Sequence, residues 1–293
     1  MNTRNIRFKS NRVGDILGLY HEELDSLYGN GEVGVFLDML FDAFLGWNKV
    51  RLLTSRGQTI DQSDLLRFHW ALEDLKRYRP IQHIIGHTDF CGCRIAVSPD
   101  VLIPRPETEE MVNWIVESGE RKVESVLDLC TGSGCIAIAL KTLCPESDVT
   151  AVDVSEKALS IAKKNAVDNN TIITILHADL LASDLKLPTT DFKLIVSNPP
   201  YVRDSERTQM RRNVLDYDPA LALFVPDDDP LLFYRAIAKV AKEHLAPDGL
   251  LVVEINESLS NETCNMFCVQ GFCPVIHRDF RGKPRWVSAV WNP

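Results

Sequence analysis

The sequence predicts an α/β protein: a doubly wound, mostly parallel seven-stranded sheet with an antiparallel C-terminal hairpin, preceded by a small helical domain. After residue 124, short apolar segments rich in β-branched residues alternate with helical segments, as in a parallel sheet with crossover helices. The last two strand candidates are joined by only Arg281-Gly282-Lys283, which is too short for a parallel crossover. Before residue 80, apolar residues recur at helical spacing instead. The strand candidates are residues 125–130, 148–154, 172–180, 193–198, 250–255, 272–279 and 285–291.

Residues 1–80 are predicted to form the helical domain. Residues 33–47 carry one broad apolar face, and residues 63–78 repeat apolar positions three and four apart. Ser63 is a candidate helix cap, and Pro80 is a candidate stop signal.

Residues 81–104 combine β-branched residues with the turn Cys91-Gly92-Cys93, which predicts a β-hairpin linker. Residues 105–293 would then form the α/β domain, with helices expected at 156–168 and 231–245.

The acidic residues Glu107, Glu109 and Glu110 follow Pro106 at the start of a predicted helix. Negative charge is favourable in the first turn of a helix. A ligand-binding role for the same carboxylates is an equally good interpretation of the pattern.

The composition indicates a globular chain with 45% hydrophobic and 25% charged residues. No apolar run approaches the roughly 20 residues that span a bilayer. The basic N-terminus lacks the apolar core of a signal peptide, so a cytoplasmic location is expected, with no membrane partner. The net charge of −9 weighs against a surface that grips nucleic acid, so no direct nucleic-acid partner is expected.

The eight cysteines show no disulfide framework. Cys264, Cys268, Cys273 and His277 form the best metal candidate, but they lack paired CxxC spacing, and Cys264 and Cys268 lie four residues apart on an apolar helix face. We therefore expect no metal site and mostly buried free thiols.

A glycine-rich turn follows the first strand candidate. Gly132, Gly134 and Ala137 form a G-x-G-x-x-A pattern, which allows a tight turn and close approach of a nucleotide-like ligand. Asp153 ends the next strand, 19 residues after Gly134, where a carboxylate accepts hydrogen bonds from ribose hydroxyls. Asp128, just before the turn, would repel the pyrophosphate of NAD and would suit a positively charged ligand such as S-adenosylmethionine.

Asp179 and Leu180 end the third strand candidate. The carboxylate of Asp179 is a candidate acceptor for the adenine amino group, and Leu180 is placed to cover the ring. Asp179 is also a typical turn residue at the end of a strand, and the residue pattern leaves both interpretations open.

Asn198-Pro199-Pro200-Tyr201 ends the fourth strand candidate, because neither proline can donate to a sheet ladder. Ligands of doubly wound sheets bind beyond the carboxyl ends of the strands. The side-chain carbonyl of Asn198 and the backbone carbonyl of Pro199 are two acceptors that would hold a planar NH2 group in one orientation. Tyr201 would pack its ring on that flat group.

The combination "LDLCTGSG" with "SNPPY" resembles the amino-group methyltransferases. With "LIPRPETE", "EINESL" and the helical N-terminal domain, nearly the whole chain resembles the peptide-chain release factor glutamine methyltransferases (HemK-like). That resemblance implies a methyl transfer from S-adenosylmethionine, leaving S-adenosylhomocysteine. The acceptor would be the glutamine amide in the Gly-Gly-Gln loop of class-1 release factors, and the helical domain would help to dock this protein substrate. The chain is expected to act as a monomer.

The resemblance assigns cofactor positions to Asp153, Asp179, Leu180 and Asn198, and to the turn Cys130, Thr131, Gly132, Ser133 and Gly134. It assigns substrate positions to Asn198, Pro199, Pro200 and Tyr201, of which Asn198, Pro199 and Tyr201 are the catalytic candidates.

The sequence departs from the family pattern at three places. Cys130 stands where glycine is frequent, and Leu180 stands where an aromatic residue is frequent, which weakens the expected adenine stacking. Asp218-Pro219 replaces a common Glu-Pro, so the geometry of the loop that follows the active site stays open.

Two other functions are compatible with the fold. The Asn-Pro-Pro-Tyr tetrapeptide also suits a methyltransferase of adenine or guanine amino groups, but such enzymes grip a nucleic-acid backbone, and this chain is acidic. A binding module that has lost catalysis would retain the fold, but it would have no need for the complete tetrapeptide.

Overall fold

The computed structural model describes residues 8–118, 123–182, 185–187 and 191–291. The chain forms two compact units. One contains Met1–Gly86 and Arg212–Tyr217, and the other contains His87–Arg211 and Asp218–Pro293. No helix of the described residues is long and apolar enough to cross a membrane.

Five helices lie between Val13 and Ile85, and strands are interspersed with helices after them. The helices are α1 (Val13–Tyr28), α2 (Asn30–Leu45), α3 (Lys49–Thr54), α4 (Gln62–Leu75), α5 (Ile81–Ile85), α6 (Pro106–Glu117), α7 (Cys135–Leu143), α8 (Glu156–Asp168), α9 (Arg212–Leu215), α10 (Leu232–His244) and α11 (Ser260–Val269). The strands are β1 (His87–Phe90), β2 (Cys93–Ala96), β3 (Ser125–Leu129), β4 (Asp148–Asp153), β5 (Thr174–His177), β6 (Phe192–Ser197), β7 (Val202–Arg203), β8 (Phe224–Val225), β9 (Leu245–Glu254), β10 (Phe272–Arg278) and β11 (Pro284–Trp291).

The helical unit packs α1 to α5 around aromatic side chains. Tyr20, Phe41 and Phe68 are fully buried. The hydroxyl of Tyr20 donates to the backbone carbonyl of Phe68 at 2.7 Å, which satisfies its only polar group. The helical interpretation of the N-terminal domain is confirmed by these elements.

Two details of the helical prediction were wrong. Ser63 lies inside α4, whose N-cap position is Asp61, so Ser63 does not cap the helix. Residues 81–85 form the short helix α5 rather than hairpin strand, because Pro80 fixes a backbone angle that suits the residue before a helix start. The hairpin itself is β1 and β2, with the predicted turn at Cys91 and Gly92.

The second unit contains a seven-stranded sheet with the order β10-β11-β9-β6-β3-β4-β5. The pairs β9-β6, β6-β3, β3-β4 and β4-β5 are parallel, whereas β11 runs antiparallel to both β9 and β10. This confirms the predicted fold class. Because β3, β4 and β6 are parallel neighbours, their carboxyl ends meet at one edge of the sheet.

Side chains alternate between the two faces of the sheet along each central strand. In β3, Val126 packs with the cluster that contains α6, α7 and α8, whereas Leu127 and Leu129 pack with the cluster that contains α10 and α11. Asp128 has the parity of Val126 and therefore faces α7.

The prediction of mostly buried cysteines was wrong for several of them. Cys93 and Cys135 are buried, but Cys268 and Cys273 are exposed. All eight thiols are free. Among the described residues, no group of His, Cys, Asp or Glu side chains is arranged to hold a metal ion.

Candidate functional site

A cavity of about 220 Å³ lies at the carboxyl ends of β3, β4 and β6. It brings together nine of the predicted site residues. These are Cys130, Thr131, Gly132, Ser133, Asp153, Asp179, Leu180, Asn198 and Pro200. Gly134, Pro199 and Tyr201 lie next to lining residues in sequence but are not among those that line the cavity.

The turn after β3 uses backbone conformations that favour glycine. Gly132 has φ 56° and Gly134 has φ 80°, both in the left-handed region. A Cβ at Gly134 would lie 3.1 Å from the Cβ of Ala162, so this glycine also permits close packing against α8. Cys130 has φ 60°, which gives a physical reason for the glycine that the family often has there.

Asp128 holds this turn in place by accepting two hydrogen bonds. It is fully buried, and its Oδ2 accepts from the Thr131 hydroxyl at 2.5 Å and from the Ala137 N–H at 3.2 Å. Burial raises the pKa of Asp128 to about 7. Asp128 is not among the residues that line the cavity, so it braces the turn and the start of α7 rather than forming part of the cavity wall.

Asp153 lines the cavity at the end of β4. Its Oδ2 accepts from the Gly132 N–H at 2.8 Å, and its Oδ1 accepts from the Ser155 N–H at 2.9 Å. These two bonds fix the carboxylate in one orientation. Each oxygen retains a second lone pair, so the group can still accept from a ligand hydroxyl.

Asp179 and Leu180 form another part of the wall. Leu180 is only 8% exposed. The Oδ1 of Asp179 accepts from the Leu181 N–H at 2.8 Å, which is the bond expected of a turn residue. The turn role of Asp179 is thus present in the structure, and its position on the cavity wall also fits a ligand contact.

The side chain of Asn198 is held by a chain of hydrogen bonds. Its Nδ2 donates to the Thr108 hydroxyl oxygen at 3.2 Å, and the Thr108 hydroxyl donates to Glu254 Oε2 at 2.6 Å. Thr108 and Glu254 are 1% and 2% exposed. Burial raises the pKa of Glu254, although the hydrogen bonds from Thr108 and Tyr201 oppose this rise.

Tyr201 is attached to the same carboxylate. Its hydroxyl donates to Glu254 Oε1 at 2.8 Å, and its backbone carbonyl accepts from the Asn256 side chain at 3.0 Å. Burial, followed by the charge of Glu254, raises the pKa of Tyr201 well above its ordinary value. Tyr201 is therefore a neutral hydroxyl donor at neutral pH.

The loop after the Asn-Pro-Pro-Tyr turn is fixed by an ion pair. Arg105 donates to the buried carboxylate of Asp218 at 2.5 Å. Burial raises the pKa of Asp218 to about 6, and the charge of Arg105 acts in the opposite direction. Pro219 and Leu221, which follow Asp218, line the cavity.

The chain matches two family models. Residues 33–86 match the PrmC N-terminal domain, and residues 109–216 match the methyltransferase small domain. A release factor glutamine methyltransferase from Flavobacterium psychrophilum is 41% identical over 91% of this chain and 95% of its own length. The chain belongs to the release factor glutamine methyltransferase family. A second member, from Bacteroides thetaiotaomicron, is 44% identical over 94% of this chain and 98% of its own length.

Solved structures agree on the fold. The crystal structure of the hMettl16 catalytic domain in complex with a 3′UTR hairpin aligns with a TM-score of 0.54 at 14% identity, covering 82% of this chain and 86% of that one. The delta-N METTL16 MTase domain aligns at 0.50 with 17% identity, covering 69% of this chain and 90% of that one. At these identities the likeness extends to the methyltransferase fold alone.

Release factor glutamine methyltransferases use S-adenosylmethionine as methyl donor, and the cavity residues fit this molecule. Asp153 offers a fixed carboxylate for a ribose diol, and Leu180 offers an apolar surface for a base. A Cβ at Gly132 would meet nothing within 4 Å, so the glycine leaves that space open beside the carboxylate.

Sequence reasoning missed Thr108, Glu254 and Arg105 as functional candidates. Thr108 lies between the acidic residues Glu107 and Glu109, and it lines the cavity, whereas the acidic residues do not. Glu109 instead accepts from the Cys91 N–H at 2.7 Å, and Glu110 accepts from the Phe280 N–H at 3.0 Å. The only available signal was that "LIPRPETE" and "EINESL" carry the family resemblance.

Proposed function

We propose that this protein transfers a methyl group from S-adenosylmethionine to the side-chain amide nitrogen of the glutamine in the Gly-Gly-Gln loop of class-1 release factors. One observation carries this proposal: the amide of Asn198 lines the cavity while its Nδ2 is used by Thr108. The remaining amide atom is an acceptor, Oδ1, and an acceptor is what the NH2 group of a glutamine side chain requires.

The chemistry follows from the weakness of an amide nitrogen as a nucleophile. Its lone pair is delocalised into the carbonyl group, so attack requires that the nitrogen be aimed at the methyl carbon. Asn198 Oδ1 and the backbone carbonyl of Pro199 are the two proposed acceptors for the substrate NH2 group. They would also stabilise the positive charge that develops on the nitrogen. The N-methylated cation is strongly acidic, so no dedicated general base is required.

The proposed cofactor positions are Asp153 for the ribose, Asp179 and Leu180 for the adenine, and the turn Cys130–Gly134 for the remaining polar groups. Tyr201 and Pro200 complete the proposed substrate site. The hydroxyl of Tyr201 is committed to Glu254, which fixes the tilt of its ring. A glutamine amide is flat, and an aromatic ring held in one orientation is a suitable surface for it.

A nucleic-acid amino-group methyltransferase is the other function that the tetrapeptide allows. Two observations favour the protein substrate. The chain carries a net charge of −9, and two relatives that align over more than 90% of it are release factor glutamine methyltransferases. The likeness to a structure with an RNA hairpin concerns the fold alone.

Three finer expectations accompany the proposal. The helical domain, whose residues 33–86 match the PrmC N-terminal domain, is proposed to dock the release factor. A cytoplasmic location fits a substrate of the translation machinery. A monomeric state stays a prediction.

The test uses the whole chain, S-adenosylmethionine with a labelled methyl group, and a purified class-1 release factor. Tandem mass spectrometry should locate one added methyl group on the glutamine of the Gly-Gly-Gln loop. A release factor in which that glutamine is replaced by alanine is the control and should stay unlabelled. Label found only in added transfer RNA or DNA, with none in the release factor, would establish the alternative function.

A further inference from the structure

Glu254 is a buried carboxylate whose two oxygens both accept hydrogen bonds from hydroxyl groups. Oε2 accepts from Thr108 at 2.6 Å, and Oε1 accepts from Tyr201 at 2.8 Å. Glu254 is the last residue of β9, which runs parallel to β6, the strand that leads into Asn198. Glu254 itself is not among the residues that line the cavity.

These contacts determine the direction of the hydrogen bond to Asn198. A threonine hydroxyl has one proton, and in this structure it points to Glu254. The Thr108 oxygen can therefore only accept from Asn198, and an acceptor must be met by the Nδ2 side of the amide. With that side engaged, the Oδ1 side is left for the substrate.

The opposite direction would present the wrong group. If the Thr108 proton pointed to Asn198, the amide would turn by half a rotation, because its oxygen would become the better partner for Thr108. The NH2 group of Asn198 would then face the NH2 group of the substrate glutamine. Both groups are donors, so no hydrogen bond could form between them. The two orientations of an asparagine amide have nearly the same shape, so packing alone distinguishes them poorly.

We propose that Glu254 is a positioning residue which, through the hydroxyl of Thr108, keeps the carbonyl oxygen of Asn198 turned toward the substrate amide. The inference rests on the proposed function, since it concerns the same acceptor. It adds two residues, from α6 and β9, to the tetrapeptide that the sequence motif contains. The sequence separation of Thr108 and Glu254 is 146 residues.

The test compares Glu254→Leu, Thr108→Val and the double variant with wild type. Each single change should lower kcat for methylation of a release factor at least about tenfold. A decrease of this size corresponds to the loss of about one hydrogen bond that stabilises the transition state. The affinity for S-adenosylhomocysteine, measured by calorimetry, should change less than about twofold, because Glu254 does not line the cavity and Thr108, which does, is not one of the proposed cofactor contacts. The double variant should lose no more than the worse single variant, because the two residues act in series.

Two further variants separate positioning from a general effect on packing. Thr108→Ser retains the hydroxyl and should recover most of kcat. Thr263→Val, which changes a fully buried threonine in α11, is the matched control and should keep the wild-type kcat. A wild-type kcat in Thr108→Val or in folded Glu254→Leu would overturn the proposal, and so would losses that multiply in the double variant. If Glu254→Leu fails to fold, the Thr108→Val and Thr108→Ser pair decides alone.

A spectroscopic readout separates this proposal from the proposed function. The side-chain NH2 group of Asn198 gives a ¹⁵N–¹H signal, which can be assigned by its loss in Asn198→Ala, whatever the substrate is. Donation to Thr108 should shift this signal and slow its exchange with solvent, and both effects should vanish in Thr108→Val and in Glu254→Leu. An enzyme that is inactive on release factors but shows these changes would overturn the proposed function alone. An Asn198 signal unchanged in both variants would overturn the positioning role.

Discussion

The backbone N–H of Gly132 donates to the carboxylate of Asp153 at 2.8 Å, which ties the turn after β3 to the end of β4. The same carboxylate accepts from the Ser155 N–H and lines the cavity. A single side chain thus holds the backbone of two adjacent turns. Because the two hydrogen bonds fix the orientation of the carboxylate, the directions of its remaining lone pairs are also fixed in the absence of a ligand.

Replacing Asp153 by alanine should weaken binding of S-adenosylhomocysteine by about 1–3 kcal/mol, because the proposed hydrogen bonds to the ribose would be lost and the Gly132 N–H would lose its partner. Isothermal titration calorimetry measures this change directly. Asp148→Ala is a matched control, since Asp148 is an exposed aspartate at the other end of the same strand. Equal affinities of Asp153→Ala and wild type would remove Asp153 from the cofactor site.

Replacing Asn198 by alanine should lower kcat by roughly 10²–10³-fold, the range seen when one preorganised group is removed from an active site. The affinity for S-adenosylhomocysteine should change much less, because the main role proposed for Asn198 is to orient the substrate. Single-turnover methylation and calorimetry measure the two quantities separately. Asn261→Ala, at an exposed position of α11, serves as the control. Unchanged single-turnover rates would exclude Asn198 from the mechanism.

The sequence predicts those elements best whose stabilising residues lie within the element itself. The helix predicted over residues 156–168 forms at those residues, because its apolar spacing and the cap at Ser155 lie within the segment itself. The helix α5 has five residues, too few for a periodic pattern, and its hydrophobic packing is set by contacts with distant helices.

In the candidate site, too, residues of a local motif could be predicted, whereas contacts between distant elements could not. The turn Cys130–Gly134 and Asp153 could be predicted from a motif with fixed spacing. The contact of Thr108 with Glu254 joins α6 to β9, and no local pattern encodes it. The bracing role of Asp128 could have been predicted as well, since its parity with Val126 places it on the face of the sheet that packs against α7.

The two turn glycines should respond differently to alanine. Both have positive φ, so each substitution should cost about 1–2 kcal/mol of backbone strain. Gly134→Ala should cost about 1–3 kcal/mol more, because its Cβ would press against Ala162. Urea denaturation measures the difference. At Gly132 a Cβ meets nothing within 4 Å, so Gly132→Ala is the control for strain without crowding. Equal losses in both variants would contradict the packing argument.

Asp128 should lower the free energy of unfolding as the pH rises from about 4 to about 7. Burial raises its pKa from 3.8 to about 7 in the folded protein, so the folded state holds this proton more tightly than the unfolded state does. Well below pH 3.8 the group is protonated in both states. Between pH 3.8 and about 7 it is ionised in the unfolded state but still protonated in the folded state, so the free energy of unfolding falls as the pH rises.

Asp128→Asn should remove this dependence while its side-chain oxygen still accepts from Thr131 and Ala137, which both bond to one oxygen of the aspartate. The free energy of unfolding of the variant minus that of wild type should increase between about pH 4 and about pH 7, by up to about 1.4 kcal/mol per pH unit, and then level off. Urea denaturation of both proteins in matched buffers gives this difference, and the titration of all other groups cancels in it. A difference that stays constant over this range would mean that Asp128 is ionised throughout, and that the buried side of β3 accommodates a full negative charge.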